Sequence, residues 1–365
     1  MKFSVTALTP LLVGDGRELS PIDYMVWKDQ VNVLDQTRIF KLLARGPRLE
    51  GYLGQLRKAS KLDFASWGGF AQNFSQRRIP FEHPEATAIW NSAPAESLFI
   101  PTFAANHRGA YLPASAVKGA LRTGVVFSRW SAATIDRVAA SMEGDRVPRR
   151  AGETAESASG ASRVKAIALG DSDPVPATAF KIFVTRVASL DMRQSPTPQL
   201  AWKVAGRGSV PASRVSDATP VFAEMAVPGT SFSGDLAWRS VPDPGLFMGA
   251  ANQYAAAQLD LHARYAEMTG LSPLHQTVLR LKSELAAAQA SPAACLLCLG
   301  WGAGFISKAG FLGTDQAGYR KILRAVPSIG KAVREGLPFP KTRRVVFEGG
   351  QPATLPGWVR VQFQQ

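Results

Sequence analysis

The chain has 365 residues, of which 46% are hydrophobic and 19% are charged. These values exclude a fibrous or wholly disordered protein. Lysine and arginine number 42 against 28 aspartates and glutamates, which gives a net charge of +14 at pH 7 and a pI of about 10.1. This excess favours a polyanionic partner, nucleic acid first and an anionic membrane second, over a merely basic soluble protein.

The N-terminal region predicts a strand, a hairpin and a capped helix. Apolar residues alternate over 3–7, which is typical of a strand, and Thr9-Pro10 ends it. Apolar stretches at 24–27 and 31–34 flank a short polar turn and predict a β-hairpin. Asp35 is the candidate N-cap of the helix that follows.

The middle of the chain alternates helical and strand patterns. Helical periodicity extends from Ser115 to Trp130 and over 131–143, and Ser115 is the candidate N-cap. The stretch 143–163 is poor in apolar residues, and we predict an exposed, mobile loop there. Strand patterns follow at 179–187, 221–227 and 231–238.

The C-terminal region predicts two helices, over 249–268 and 273–290, and two terminal strands within 340–363. The uncharged run from Leu285 to Ser307 has the length of a membrane span. Ser291-Pro292 and several glycines interrupt it, so we interpret it as a helix end, a turn and a glycine loop. Its two cysteines, Cys295 and Cys298, are too few for a disulfide framework, and we expect them to pack in the core of a protein from a reducing compartment.

A first candidate site is YLPASAVKGALRTG, residues 111–124. If Ser115 caps the helix, backbone N–H groups at the helix N-terminus are available to an anion. Lys118 and Arg122 are one turn apart on one helix face, and Gly119 between them allows close approach of a ligand. The alternative is an ordinary amphipathic helix with a solvated cationic face.

Two further stretches have the residues of phosphate sites. The glycine loop contains Gly300, Trp301, Gly302 and Gly304 and ends at Lys308; alternate glycines expose backbone amides, although an irregular helix C-cap explains them equally well. The second stretch, 340–344, contains Lys341 and Arg343. Its cations either bind phosphates or protect an edge strand.

Signals for a catalytic constellation are weak throughout the sequence. His107 has no patterned partner, and Asp171 and Asp173 fit a strand-entry turn better than a metal site. We therefore expect no enzymatic activity, no metal and no cofactor.

Taken in order, these stretches resemble the RAMP proteins of type III CRISPR effector complexes, and most specifically the Csm-type subunit that caps the filament near the 3′ end of the guide RNA. The opening LTPLLVGDGRELSPIDYMVWKDQVNVLD is similar to that family's opening. Pro113, Ser115, Lys118, Gly119 and Arg122 match its Pro-x-Ser-x-x-Lys-Gly-x-x-Arg signature. Further similarities lie at 171–172, at 224–232, from Gly300 to Lys308, at 340–343 and at 357–359; residues 48–100 and 130–165 match nothing in the family.

The resemblance implies an α+β fold of ferredoxin-like, RNA-recognition-motif-like modules with helical insertions and a glycine-rich loop that faces RNA. We expect an RNA-recognition-motif-like core over 1–240 and a second module completed by 241–365. Ala309 stands where the family often has threonine, and no aromatic RNP1 pattern indicates base stacking on the sheet.

The function implied is that of a structural subunit, cytoplasmic and without a membrane, that binds the guide RNA backbone near its 3′ end. The partners implied are guide RNA, other RAMP and CRISPR effector subunits, and target RNA. The RNA-binding residues expected are Ser115, Lys118, Gly119, Arg122, Gly300, Trp301, Gly302, Gly304, Lys308, Lys341 and Arg343. Two alternatives stay open: an RNA-cleaving RAMP subunit that uses a metal-binding aspartate or a histidine, and a basic protein whose ligand is another protein.

Overall fold

The structure is a computed structural model that describes residues 1–58, 73–142, 144, 146, 161–193, 195–205, 211–240 and 243–364, without the side chains of 55, 58 and 161–163. Most of the loop predicted over 143–163 lies outside the described residues.

Groups of strands and groups of helices follow one another along the chain. The strands are β1 (Lys2–Ala7), β2 (Glu18–Leu19), β3 (Tyr24–Val26), β4 (Gln30–Leu34), β5 (Ser75–Pro80), β6 (Ile100–Pro101), β7 (Ala105–Asn106), β8 (Gly109–Ala110), β9 (Ile167–Leu169), β10 (Phe180–Asp191), β11 (Gln199–Trp202), β12 (Val221–Ala226), β13 (Ser231–Trp238), β14 (Ala294–Cys298), β15 (Thr342–Glu348), β16 (Gln351–Thr354) and β17 (Trp358–Gln364). The α-helices are α1 (Gln36–Leu43), α2 (Leu49–Lys58), α3 (Glu85–Ser92), α4 (Ala114–Arg129), α5 (Ala132–Ala140), α6 (Pro244–Thr269), α7 (Ser272–Gln289), α8 (Ala317–Ala325) and α9 (Pro327–Gly330).

The first large sheet is antiparallel and has the order β14-β17-β1-β13-β9. Its centre is β1, in which Phe3, Val5 and Ala7 are buried and alternate with more exposed residues. This alternation confirms the predicted opening strand. Because the C-terminal strand β17 pairs with β1, residues from both ends of the chain build one sheet.

The second large sheet is organised by the long strand β10. Its first half pairs with β12, its middle with β15 and its end with β11, always antiparallel, and β16 pairs with β15.

A separate three-stranded unit, β3-β4-β5, contains the predicted hairpin, whose turn residues Lys28 and Asp29 both have positive φ. The predicted Asp35 cap also holds, since its carboxylate accepts from the backbone N–H of Arg38 at 2.9 Å.

Helices α4 and α6 pack on the first sheet and on each other. At Gly124 of α4, an added Cβ would lie 3.0 Å from the Cα of Ala251 on α6, so glycine permits this close approach. Asn252 of α6 is buried, and its side chain donates to the carbonyl of Ala294 and accepts from the N–H of Leu296. It thereby satisfies backbone groups of the edge strand β14.

Three local predictions were wrong. Helix α4 begins at Ala114, and Pro113 rather than Ser115 is its N-cap residue. The apolar stretch before the glycine loop is a buried strand, β14, because the chain leaves α7 at Gln289 and five apolar residues between turns suit a strand. The C-terminal segment forms β15, β16 and β17 rather than two strands, since Gly349 and Gly350 allow a tight turn within it.

The two cysteines are buried and unpaired, as predicted. Burial raises the pKa of the Cys298 thiol to about 12, so it stays protonated.

In the part of the chain that the structure describes, none of the helices combines the length and the apolar character that crossing a membrane requires.

A buried ion pair joins the β3-β4-β5 unit to the second sheet. Glu224 of β12 is fully buried, and both of its carboxylate oxygens contact the guanidinium of Arg77 of β5, one at 3.1 Å. A carboxylate at such a position is compatible with folding only while it is paired. The ion pair therefore fixes the position of the β3-β4-β5 unit, here called the hairpin unit, on the second sheet.

We expect Arg77→Met to lower the free energy of unfolding by about 3 kcal/mol, because it leaves the Glu224 carboxylate buried without a partner. Urea unfolding monitored by circular dichroism measures the change. The double variant R77M/E224L removes both charges and should regain most of the loss, whereas Arg214→Met, at an exposed position, should change little. A double variant no more stable than R77M would contradict the pairing argument.

Candidate nucleic-acid interface

A cleft of about 710 Å³ lies between the N-terminal loop, helix α4 and the glycine loop. It brings together six of the residues predicted to contact RNA, although they come from two distant segments: Ser115, Gly119, Arg122, Gly300, Trp301 and Lys308. The N-terminal loop contributes residues that were not predicted as site residues: Leu12, Val13, Gly14, Gly16, Arg17 and Glu18.

The start of helix α4 is capped from a distance. The Asp171 carboxylate accepts from the backbone N–H of Ala114 at 2.8 Å, and the Ser172 hydroxyl accepts from Leu112 at 2.8 Å. Asp171 and Ser172 thus have a structural role here, which only their positions in space could show. Ser115 is left within the first turn, where it lines the cleft instead of capping the helix.

Gly119 lies in the middle of α4 on the cleft side, and nothing lies within 4 Å of the position a Cβ would occupy. Glycine in a helix interior costs roughly 0.5–1 kcal/mol relative to alanine. Packing explains Gly124 on the same helix, but it does not explain Gly119.

The glycine loop is held from two sides. The N–H of Trp301 donates to the carbonyl of Leu12 at 2.7 Å, and a Cβ at Gly300 would lie 2.3 Å from that carbonyl oxygen, so the residue must be glycine. On the other side, Tyr254 and Gln258 of α6 both donate to the carbonyl of Ile306, the latter at 3.0 Å. These contacts within the protein fix the conformation of the glycine loop, so the loop does not need a ligand to order it.

The predicted cations are divided between two locations. Lys308 is exposed on the cleft wall, and Arg122 also lines the cleft. Lys118 does not line it, because its ammonium donates to the carbonyl of Ile167 of β9 at 2.7 Å. Arg17, which was not predicted, also lines the cleft, and its Nε lies 3.4 Å from the Asp15 carboxylate.

A second groove, of about 400 Å³, lies behind the glycine loop and shares Cys298, Trp301 and Lys308 with the cleft. Gly302, Gly304 and Arg343 line this groove rather than the cleft.

Arg343 is largely buried. Its Nε donates to His262 Nδ1 at 3.1 Å, and its guanidinium lies 4.5 Å from the ring centroid of Tyr265. Burial lowers the pKa of Arg343 to about 10, so it stays charged at neutral pH. Burial first, and the Arg343 charge second, lower the pKa of His262 well below its usual range, and His262 is therefore neutral.

Lys341 lies next to the groove lining and is partly buried. Desolvation lowers its pKa first, and the positive charges of Arg334, Arg193 and Lys203 add to the shift, against Asp191. Four cations thus converge near the end of β10 and the start of β15.

Groups suited to metal-dependent chemistry do not converge within the described residues, where no cluster of three or more histidine, cysteine or acidic side chains could hold an ion. Of the histidines, His262 accepts a hydrogen bond from Arg343, and His107 lies exposed in the turn between β7 and β8.

No protein-family model matches the sequence, and a search of curated proteins finds no match. The backbone does match solved structures. One is a chain from the cryo-EM structure of a Csm–crRNA–target RNA ternary complex of a type III-A CRISPR-Cas system; the TM-score is 0.60 at 19% sequence identity, over 99% of this chain and 100% of that one.

The second is the crystal structure of T. onnurineus Csm5, with a TM-score of 0.53 at 17% identity, over 99% of this chain and 100% of that one. The chain has the fold of Csm5. The likeness confirms the predicted α+β fold and, at the level of the fold, the resemblance to Csm-type subunits. The division at residue 240 stays a prediction, as does each assigned RNA contact.

Neutral His262 makes the stability of this Csm5-like fold dependent on pH. The unfolded chain takes up a proton at the ordinary histidine pKa, whereas the folded chain does not until a much lower pH. This contribution is complete above about pH 6.5 and is lost at about 1.4 kcal/mol per pH unit as the pH falls.

We therefore expect the wild type to lose about 2 kcal/mol more than His262→Asn between about pH 7.5 and pH 5, because the asparagine carbonyl can still accept from Arg343 but does not titrate. Urea unfolding at each pH measures the difference, and His275→Asn, on α7, is the histidine control. Equal pH slopes for wild type and H262N would show that His262 is not buried neutral.

Proposed function

We propose that the chain is an RNA-binding structural subunit of a type III CRISPR ribonucleoprotein complex and that the cleft between α4 and the glycine loop holds the sugar-phosphate backbone of the guide RNA near its 3′ end. The fold shared with a chain of a Csm–crRNA–target RNA complex supports membership in such an assembly. The chemistry of the cleft supports RNA as the ligand.

Gly119 is the observation that carries this proposal. A helix-weakening residue with open space before it has no packing role, but it allows a bulky ligand to lie against the helix backbone. The same wall presents Ser115 at the first turn and Arg122 about two turns further on, and Lys308 lines the cleft from the glycine loop. Small residues flanked by cations suit a phosphodiester backbone better than a base edge, so we expect little sequence preference.

The two lysines provide a matched test of the cleft. Each variant, Lys308→Ala or Lys118→Ala, removes one charge, but only Lys308 lines the cleft. We expect K308A to reduce the slope of log affinity against log salt concentration by about 0.7 for single-stranded RNA. K118A should leave the slope nearly unchanged. Fluorescence anisotropy with a labelled RNA over a range of salt concentrations measures both, and equal losses would contradict binding in the cleft.

Gly119 predicts opposite effects on folding and binding. We expect Gly119→Ala to raise the free energy of unfolding by about 0.5–1 kcal/mol, since a helix former replaces glycine without a clash. Gly119→Leu should fold as well but should weaken RNA binding about tenfold or more, equivalent to about 1.4 kcal/mol, because its side chain fills the cleft.

The matched control is Gly249 on α6, which also has nothing within 4 Å of a Cβ and does not line the cleft. Gly249→Leu should fold and bind RNA like the wild type. If G119L binds RNA normally, the cleft is not the binding site.

Isolation of the chain within its native complex tests the assembly and the position on the RNA. Cross-linking followed by mapping of RNA ends should place this subunit on guide RNA close to a uniform 3′ end. Placement in the middle of the guide, or absence of RNA, would overturn that assignment. Cutting of RNA by the purified chain, abolished by one aspartate or histidine substitution, would support the ribonuclease alternative instead.

A further inference from the structure

The groove behind the glycine loop carries positive charge that the fold does not neutralise. Its lining includes Lys203, Lys308, Arg343 and Arg344, and no aspartate or glutamate is among the described residues that line it. In contrast, an acidic residue, Glu18, is among those that line the cleft in front of the loop. The two cavities adjoin at Trp301, which lines both.

Arg343 and Arg344 are hydrogen-bonded only to neutral groups in the described part of the chain. Besides its bond to His262, Arg343 donates from Nη1 to the carbonyls of Pro340 and Thr342, at 2.8 and 2.9 Å. Arg344 donates from Nη1 to the Thr185 hydroxyl at 2.9 Å. These bonds fix the orientation of the guanidiniums without cancelling their charge.

Arg344 also stacks on the residue that divides the cavities. Its guanidinium carbon lies 4.1 Å from the ring centroid of Trp301, within the range of a cation–π contact. Burial lowers the pKa of Arg344 to about 10, which still leaves it charged at neutral pH. A desolvated cation without a counter-charge destabilises the protein unless an anion binds near it.

Backbone donors lie on the same wall. Gly302 and Gly304 both line the groove with positive φ, and neither N–H has an acceptor in the described part of the chain. A Cβ at Gly302 would lie 2.9 Å from Arg344 Cδ, whereas a Cβ at Gly304 would meet nothing within 4 Å. Packing against Arg344 thus explains the glycine at 302, and Gly304 leaves open space in the groove. Unpaired amides beside guanidiniums are typical of phosphate sites.

We propose that this groove is a second phosphate-binding site, in which Arg344, Lys203 and the backbone of Gly302 and Gly304 receive a phosphodiester of the single-stranded RNA as it passes from the cleft across Trp301. The inference rests on the proposed function and extends it, because it gives the RNA a path behind the glycine loop as well as in front of it. Lys203 is exposed and follows β11, so its ammonium is available at the mouth of the groove.

The test compares Lys203→Ala, Arg344→Met and their combination with Lys331→Ala, an exposed lysine that lines neither cavity. The first probe is a labelled single-stranded oligouridylate of about twelve nucleotides, long enough to span both cavities. We expect the double variant to reduce the salt slope by about 1.4, which corresponds to two phosphate contacts, and K331A to leave it unchanged. Methionine can keep the apolar contact with Trp301, and K203A, at an exposed position, tests the site even if R344M unfolds.

Inorganic tripolyphosphate is the second probe, and it separates the groove from the RNA path. It should raise the Tm of the wild type and of K331A but not that of K203A/R344M. If tripolyphosphate acts in this way while oligouridylate binding is equal in all variants, the groove binds a small polyphosphate and its place on the RNA path is wrong. If neither probe distinguishes the variants, the groove is not a phosphate site.

The cleft variants separate this proposal from the proposed function. Gly119 lines the cleft alone, whereas Lys308 lines both cavities, so loss of oligouridylate binding in G119L with full binding in K203A/R344M would overturn the second site alone. If the wild type does not bind the oligonucleotide, the proposed function fails, and a Tm shift with tripolyphosphate that K203A/R344M abolishes would show that the groove binds polyphosphate without an RNA path.

Discussion

The backbone carbonyl of Leu12 fixes the geometry of the candidate interface. It accepts from Trp301 N–H at 2.7 Å, and it lies so close to Gly300 that no side chain fits there. One hydrogen bond therefore joins the N-terminal loop to the glycine loop, and helix α4 closes the third side of the cleft. Tyr254 and Gln258 hold the far end of the glycine loop, so its exposed amides are preorganised and need no ordering on binding.

The buried charged side chains have two kinds of surroundings: some form ion pairs, and others contact neutral groups. Glu224 and Arg77 neutralise each other between the hairpin unit and the second sheet, which is what a structural ion pair requires. Arg343 and Arg344 are also withdrawn from water, but neutral acceptors and aromatic rings surround them. The contrast matters because the chain as a whole carries +14. Local pairing, rather than net charge, distinguishes a cation that supports the fold from one that attracts a ligand.

Sequence reasoning succeeded where the determining interaction was local. The alternation in β1, the hairpin turn and the Asp35 cap depend on residues a few positions apart, and all were predicted. At helix α4 it failed because residues distant in sequence determine the contacts there. Asp171 caps α4 from 57 residues away, and Lys118 on α4 donates to the carbonyl of Ile167 on strand β9. The six gathered cleft residues were found as separate motifs, but only the three-dimensional fold shows that α4 and the glycine loop face each other.

The pairing of β1 with β17 has a consequence for folding. Lys2 lies opposite Gln364, so the central strand of the first sheet pairs with a strand that is synthesised much later than β1 itself. Until then β1 has at most β13 beside it, and one of its edges is open to wrong partners. Contacts of such long sequence separation slow folding. The same adjacency means that a short linker can join the two positions, so a circularly permuted chain opened at an exposed turn such as Lys28-Asp29 should retain the sheet.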